Sequence, residues 1–74
     1  MPPTPLVTYD ELVAALRKLG YEVARQSGSH VRLRAAGRSH VTVPRKREIP
    51  RGTLRAILRV ADISLDRFIK LLDR

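Results

Sequence analysis

The residues best suited to chemistry lie in one run, Arg25-Gln26-Ser27-Gly28-Ser29-His30-Val31-Arg32-Leu33-Arg34. Ser-Gly-Ser reads as a tight turn. From His30 the chain alternates, with His30, Arg32 and Arg34 pointing one way and Val31 and Leu33 the other. Period two is what a strand with one wetted face produces. An imidazole therefore stands among guanidinium groups at the mouth of a glycine-bearing turn. These residue types suit cleavage of an RNA phosphodiester without a metal. The 2′-hydroxyl must lose a proton as it attacks phosphorus, and the leaving 5′-oxygen must gain one. Histidine, whose ordinary pKa is about 6.5, does either near neutrality. Guanidinium groups already in place stabilise the charge that gathers on phosphorus. Backbone N–H groups of Ser27, Gly28 and Ser29 can cradle a phosphate. His30 is thus the candidate acid or base, and Arg32, Arg34, Lys46 and Arg47 are candidate phosphate clamps. The plainer alternative is a surface histidine beside an ordinary turn, since Ser-Gly-Ser serves any tight reversal. His40, towards the far end of the same hairpin, reads as a surface residue rather than a second catalyst.

The elements that position this run are legible on either side of it. Thr8-Tyr9-Asp10-Glu11 fits a capping box, with acidic residues in the first turn of a helix. Tyr9, Leu12, Val13, Leu16 and Leu19 form its apolar stripe, and Gly20 follows as terminator. Tyr21 to Gln26 reads as a strand with Tyr21 and Val23 on the apolar side. After His30–Arg34, Ala35-Ala36-Gly37-Arg38 turns the chain into a third strand, Ser39 to Val43. A loop over Ala36, Gly37 and Arg38 pairs Leu33 with Val41 and Val31 with Val43, which keeps apolar faces matched. It also sets Arg32 beside Thr42 and Arg34 beside His40. Pro44 ends the sheet, because it cannot donate to a ladder. Arg45-Lys46-Arg47-Glu48 is a basic loop. A second helix starts near Pro50 and buries Leu54, Ile57, Leu58 and Ala61, with Arg51, Arg55 and Arg59 on a separate ridge. Ser64 caps a short last helix, Leu65 to about Asp73, burying Leu65, Phe68, Ile69 and Leu72.

The expected fold class is α+β, a two-layer sandwich of order α-β-β-β-α with a short extra C-terminal helix. Helices cover the one apolar face of a three-stranded antiparallel sheet. Residues 1–7, rich in proline, are expected as an unstructured tail, and 8–74 as a single domain. Seventy-four residues leave room for one small core, since such a chain buries only roughly 60% of its unfolded surface. With no cysteine there is neither a disulfide framework nor a thiolate zinc site. Two histidines and scattered carboxylates show no metal-ligand spacing, and no cofactor fingerprint is present. No apolar run approaches a membrane span, and the first residues carry no signal-peptide pattern, so a cytoplasmic protein is expected.

Fifteen Lys and Arg against seven Asp and Glu give a formal net charge of +8. Twelve of the fifteen are Arg, whose planar fork suits phosphate. A polyanionic partner is implied: nucleic acid, or an acidic protein that imitates it.

Several runs together resemble the HicA-type toxins, small mRNA interferases of type II toxin–antitoxin systems. They are Leu16-Arg17-Lys18-Leu19-Gly20-Tyr21, Gln26-Ser27-Gly28-Ser29-His30, Val41-Thr42-Val43-Pro44 and Gly52-Thr53-Leu54-Arg55-Ala56-Ile57-Leu58, within about residues 8 to 72. The resemblance implies a fold like the double-stranded RNA-binding domain (dsRBD), endoribonuclease activity on mRNA, and a HicB-type antitoxin covering the open sheet face. The family's catalytic histidine follows Gly-Ser, which places it at His30. One departure is Arg45-Lys46-Arg47 after Val43-Pro44, where many members carry another histidine; Lys46 supplies charge alone. Two other readings stay open: a non-catalytic RNA-binding module that reads A-form shape, and DNA binding through the Leu54–Ala61 helix.

Overall fold

In the computed structural model, which describes residues 3–72, the elements run β1 (Val7–Thr8), α1 (Tyr9–Arg17), β2 (Glu22–Ser27), β3 (His30–Arg34), β4 (Val41–Pro44), β5 (Glu48–Ile49), α2 (Arg51–Ala61) and α3 (Leu65–Leu71). The order α-β-β-β-α, the three-stranded antiparallel sheet and the additional last helix are those expected. Helices α1 and α3 start where side chains satisfy open backbone donors. Thr8 Oγ1 accepts from the Glu11 N–H at 3.1 Å, while Glu11 Oε1 accepts from the Thr8 N–H at 2.9 Å, completing the capping box. Ser64 Oγ accepts from the Arg67 N–H at 3.1 Å and starts α3. Helix α2 begins after Pro50 with no side-chain cap and ends at Asp62, whose φ of 57° places it in the left-handed region. There the Arg38 Nη1 donates to the Ala61 carbonyl at 3.1 Å, holding the helix end beside the β3–β4 connection.

The sheet is ordered β2-β3-β4. Register between β3 and β4 follows the apolar pattern, with Leu33 opposite Val41, Val31 opposite Val43 and Arg32 opposite Thr42. Val31, Leu33 and Val43 are fully buried under the helices with Leu12, Leu16, Leu54 and Phe68. Arg34 and His40 do not pair in the ladder, which stops at Leu33–Val41. Beyond that pair the connection leaves strand geometry.

Four other boundaries differ from expectation. Val7, inside the segment expected as an unstructured tail, is 1% exposed, and β1 pairs with β5 through Val7–Ile49 and Thr8–Glu48. A two-residue apolar signal is too short to read as a strand beside three prolines, and its partner lay in what read as a basic loop. Met1 and Pro2 lie outside the described residues. Tyr21 precedes β2 rather than opening it, and is 1% exposed. Val23 does face the same way as its partner Leu33, yet is 43% exposed, because β2 is an edge strand beyond the reach of the helices. In α3 only Phe68 is buried, while Leu65, Ile69 and Leu72 are half-buried, and the helix ends at Leu71. Asp73, the expected last residue, lies outside the described residues.

Tyr21 ties the sheet to the rest of the chain, since its hydroxyl donates to the Ser39 carbonyl at 2.7 Å. Burial pushes the phenol above its ordinary range, and the Arg38 guanidinium acts in the opposite direction. A raised folded-state value favours the neutral, hydrogen-bonding phenol, so its contribution is intact below about pH 10 and is lost as pH rises through the folded-state value. Denaturant titrations from pH 8 to 11 should show stability falling at the alkaline end. Tyr21→Phe should flatten that fall at a cost of about 1 kcal/mol near neutrality, the worth of one hydrogen bond.

Candidate nucleic-acid interface

A bulge in β2 decides which side chains reach the open face of the sheet. The register shifts between Val23, opposite Leu33, and Arg25, opposite Arg32. Strict alternation from Val23 would turn Arg25 towards the covered face. Ala24 is the extra residue, and it returns Arg25 to the open face directly across from Arg32. Beyond it Ser27 stands opposite His30, and Gly28-Ser29 closes a two-residue turn. Gly28 has φ of +58° and Ser29 does not share it, the pattern of a type II′ hairpin with glycine in first place. Ser27 is therefore strand, not turn.

Arg25, Ser27, His30, Arg32 and Thr42 line one hollow of about 210 Å³ on this face. All five are exposed, and no side-chain hydrogen bond engages any of them among the described residues. No carboxylate lines the hollow. Like charges directly opposite across a strand pair destabilise a sheet. Two guanidiniums are held opposite each other here, beside an imidazole, with no carboxylate in the lining to neutralise them. Arg25 and Thr42 had not been singled out as site residues. The bulge was the reason for the first, and no turn signal marks it. The second follows from the register, which sets Thr42 opposite Arg32.

The other expected site residues are distributed around this hollow. Gly28 and Ser29 form the turn at its edge. Arg34 is exposed on the same face but four residues along β3, about 13 Å away at strand rise. It lines a separate hollow with Glu22 and His40. Lys46 and Arg47 lie beyond the turn, in a hollow of about 370 Å³ with Thr8, Tyr9, Asp10 and Arg45. Arg45 fastens that loop to the hairpin. Its N–H donates to the Ser29 carbonyl at 2.6 Å, its Nη1 to Gln26 Oε1 at 3.2 Å, and its guanidinium lies 5.5 Å from the centre of the Tyr9 ring. Arg45 thereby joins α1, β2 and the turn that carries His30. Among the described residues, no three His, Cys, Asp or Glu side chains gather as a metal site, and no helix is long and apolar enough to cross a membrane.

A helical layer over one face of a three-stranded antiparallel sheet, with the other face exposed and cationic, is a dsRBD-like arrangement. Residues 9–63 match the model for the HicA toxin of bacterial toxin–antitoxin systems, and the chain belongs to that family. A search of curated proteins returns no match. Membership makes the chain a toxin component and implies an antitoxin partner.

The facing arginines make a prediction with opposite signs. Arg25→Thr should raise folding stability by roughly 0.5 kcal/mol, as relief of a like-charge cross-strand pair does. The same change should weaken binding to a single-stranded RNA and lower the slope of log K against log salt by about 0.7, the value for one lost phosphate contact. Denaturation and fluorescence anisotropy at several salt concentrations check the two halves.

Proposed function

We propose that this toxin is a metal-independent endoribonuclease, an mRNA interferase acting in the cytoplasm, with His30 as its general acid and base. The observation that carries the reading is the hollow in which His30 stands exposed beside Arg25 and Arg32, with no carboxylate in its lining, on one sheet face. A ribose-phosphate backbone supplies the missing negative charge. Neutral His30 takes the proton of the 2′-hydroxyl as its oxygen bonds to phosphorus. The imidazolium so formed returns a proton to the leaving 5′-oxygen as its bond to phosphorus breaks. The products are a 2′,3′-cyclic phosphate and a 5′-hydroxyl. Arg25 and Arg32 stabilise the charge on the non-bridging oxygens, and Ser27 and Thr42 offer hydroxyls to the same phosphate. The turn N–H groups of Gly28 and Ser29, next to Ser27 and His30, add backbone donors for a phosphate. Arg34 at one end, and Lys46 and Arg47 at the other, hold neighbouring phosphates. A HicB-type antitoxin covers this open face with acidic groups, so their association weakens as salt rises.

Purified protein incubated with mRNA in EDTA should cut it and leave cyclic-phosphate ends. His30→Ala should lower the cleavage rate by about 10² or more, the usual share of general acid–base catalysis, while RNA affinity and fold stay near wild type. Binding without cutting by the wild-type protein would establish the non-catalytic RNA-binding reading instead. Undiminished cutting by His30→Ala would remove the residue from its role.

A further inference from the structure

The hollow around His30 continues over the sheet edge into a second one of different character. Thr42 lines both. On the far side of β4, a hollow of about 350 Å³ lies between the strand and α2, lined by Val41, Ala56, Ile57 and Val60 among others, with no Lys, Arg, Asp or Glu in its wall. Val60 is 52% exposed. Because α2 places Ala56 and Val60 four apart, they form one apolar strip on its outer side.

The backbone of β4 has no strand on its outer edge, since the sheet order ends there, and among the described residues only the Pro44 carbonyl of its outward groups is taken, by the Lys46 N–H at 2.9 Å. The Arg45 N–H bonded to the Ser29 carbonyl marks that pair as a hydrogen-bonded one. Alternation then makes Val43–Val31 and Val41–Leu33 hydrogen-bonded pairs, and leaves Thr42 and Pro44 with backbone groups turned outward. Pro44 has no N–H to offer, so the outward donor of β4 within this stretch is that of Thr42. An edge strand of this kind is a template for one more strand.

We infer that the β4 edge takes an extended segment of the antitoxin with an apolar–acidic–apolar pattern. This rests on the antitoxin partner and on the cationic reading of the open face. The residue paired with Thr42 shares its face, so its side chain lies beside Thr42 at the rim of the hollow, with Arg32 one strand further in and its long side chain able to reach across. Its two neighbours turn to the opposite face, over Ala56 and Val60. Alternation along one strand thus answers both surfaces at once, with carboxylate above and methyl groups below. Seated there, the acidic side chain brings negative charge to the Thr42 rim of the hollow that Arg25 and Arg32 line. A second copy of this chain is disfavoured at the same edge, because two molecules each of net charge +8 meet there.

The test uses two short blocked peptides of the same composition, one alternating Val and Glu, the other with its Glu and Val residues in separate blocks. Both carry equal charge, so simple attraction to a basic protein does not distinguish them. In fluorescence anisotropy the alternating peptide should bind the full-length protein at least about fivefold more tightly, a difference well outside measurement scatter. Val60→Gln, a surface change, should remove that preference while leaving the block peptide's Kd unchanged. Hydrogen exchange at the Thr42 amide should slow on adding the alternating peptide and not the block one. Equal binding of the two peptides, or an unchanged Thr42 exchange rate, would overturn the proposal. So would a concentration-dependent dimer in sedimentation that protects Thr42 without peptide, because the edge then belongs to a second copy. No RNA is present in any arm, so failure here leaves the ribonuclease reading to its own assay.

Discussion

Arg25 and Arg32 are held across a strand pair from each other, beside His30, and no acidic side chain lines the space they share. That repulsion has to be offset by something outside the open face. The offset lies directly beneath it, where Val31, Leu33, Val41 and Val43 are buried against the helices. One strand therefore supplies both terms, because β3 alternates burial residue by residue. A one-residue slip of β3 would exchange the two sets, exposing valine and leucine and burying arginine. The energetic penalty of that exchange, several kcal/mol for each buried unpaired charge, fixes the register far more firmly than hydrogen bonds alone. The cationic face is in this sense a by-product of the core, and a costly one to keep unless a polyanion comes to it.

The rest of the chain keeps the hairpin tip that bears His30 in place. A two-residue turn fixes the spacing of Ser27 and His30, and glycine at its first position meets the positive φ without strain. Arg45 then holds the turn from behind through Ser29, Gln26 and Tyr9. Tyr9 itself is set by the capping box of α1, and the following loop is drawn in by the β1–β5 pair. Pre-organisation of a site on rigid elements of this sort is what positioned electrostatic groups require.

Most of this architecture was legible in residue order. Thr8 and Glu11, Ser64, the stripe from Leu54 to Ala61 and the β3–β4 register all reflect local chemistry or period-two matching, and each formed as read. What escaped was decided by non-local contact. Val7 is two residues from a proline and pairs with Ile49, more than forty positions away, so no local periodicity marks it. Arg25 escaped for the opposite reason, since local alternation assigns it to the wrong face and only pairing with β3 reveals the bulge at Ala24. His30 and Arg32 share a hollow because they sit on the strictly alternating strand, and Ser27, read as turn, joins them from the strand opposite. Lys46 and Arg47 were read from charge, which carries no direction, and they line a neighbouring hollow.

The loop after β4 also bears on how many imidazoles can serve one phosphate. The Lys46 N–H donates to the Pro44 carbonyl at 2.9 Å, turning the backbone immediately after the strand. Residues 45–47 line the hollow of Tyr9 and not that of His30. His40 lies beyond the opposite end of β3, near Arg34. Neither the loop after Val43-Pro44 nor the second histidine of the chain thus stands in the hollow where Arg25 faces Arg32. Of the two imidazoles only His30 lines that hollow, so on the ribonuclease proposal both proton transfers fall to one ring. A lone imidazole in a double role makes the surrounding guanidiniums matter more. On that proposal they would stabilise the phosphorane charge for the whole interval between the two transfers. The uncompensated cations that weaken the fold are, on this account, what allows one histidine to suffice.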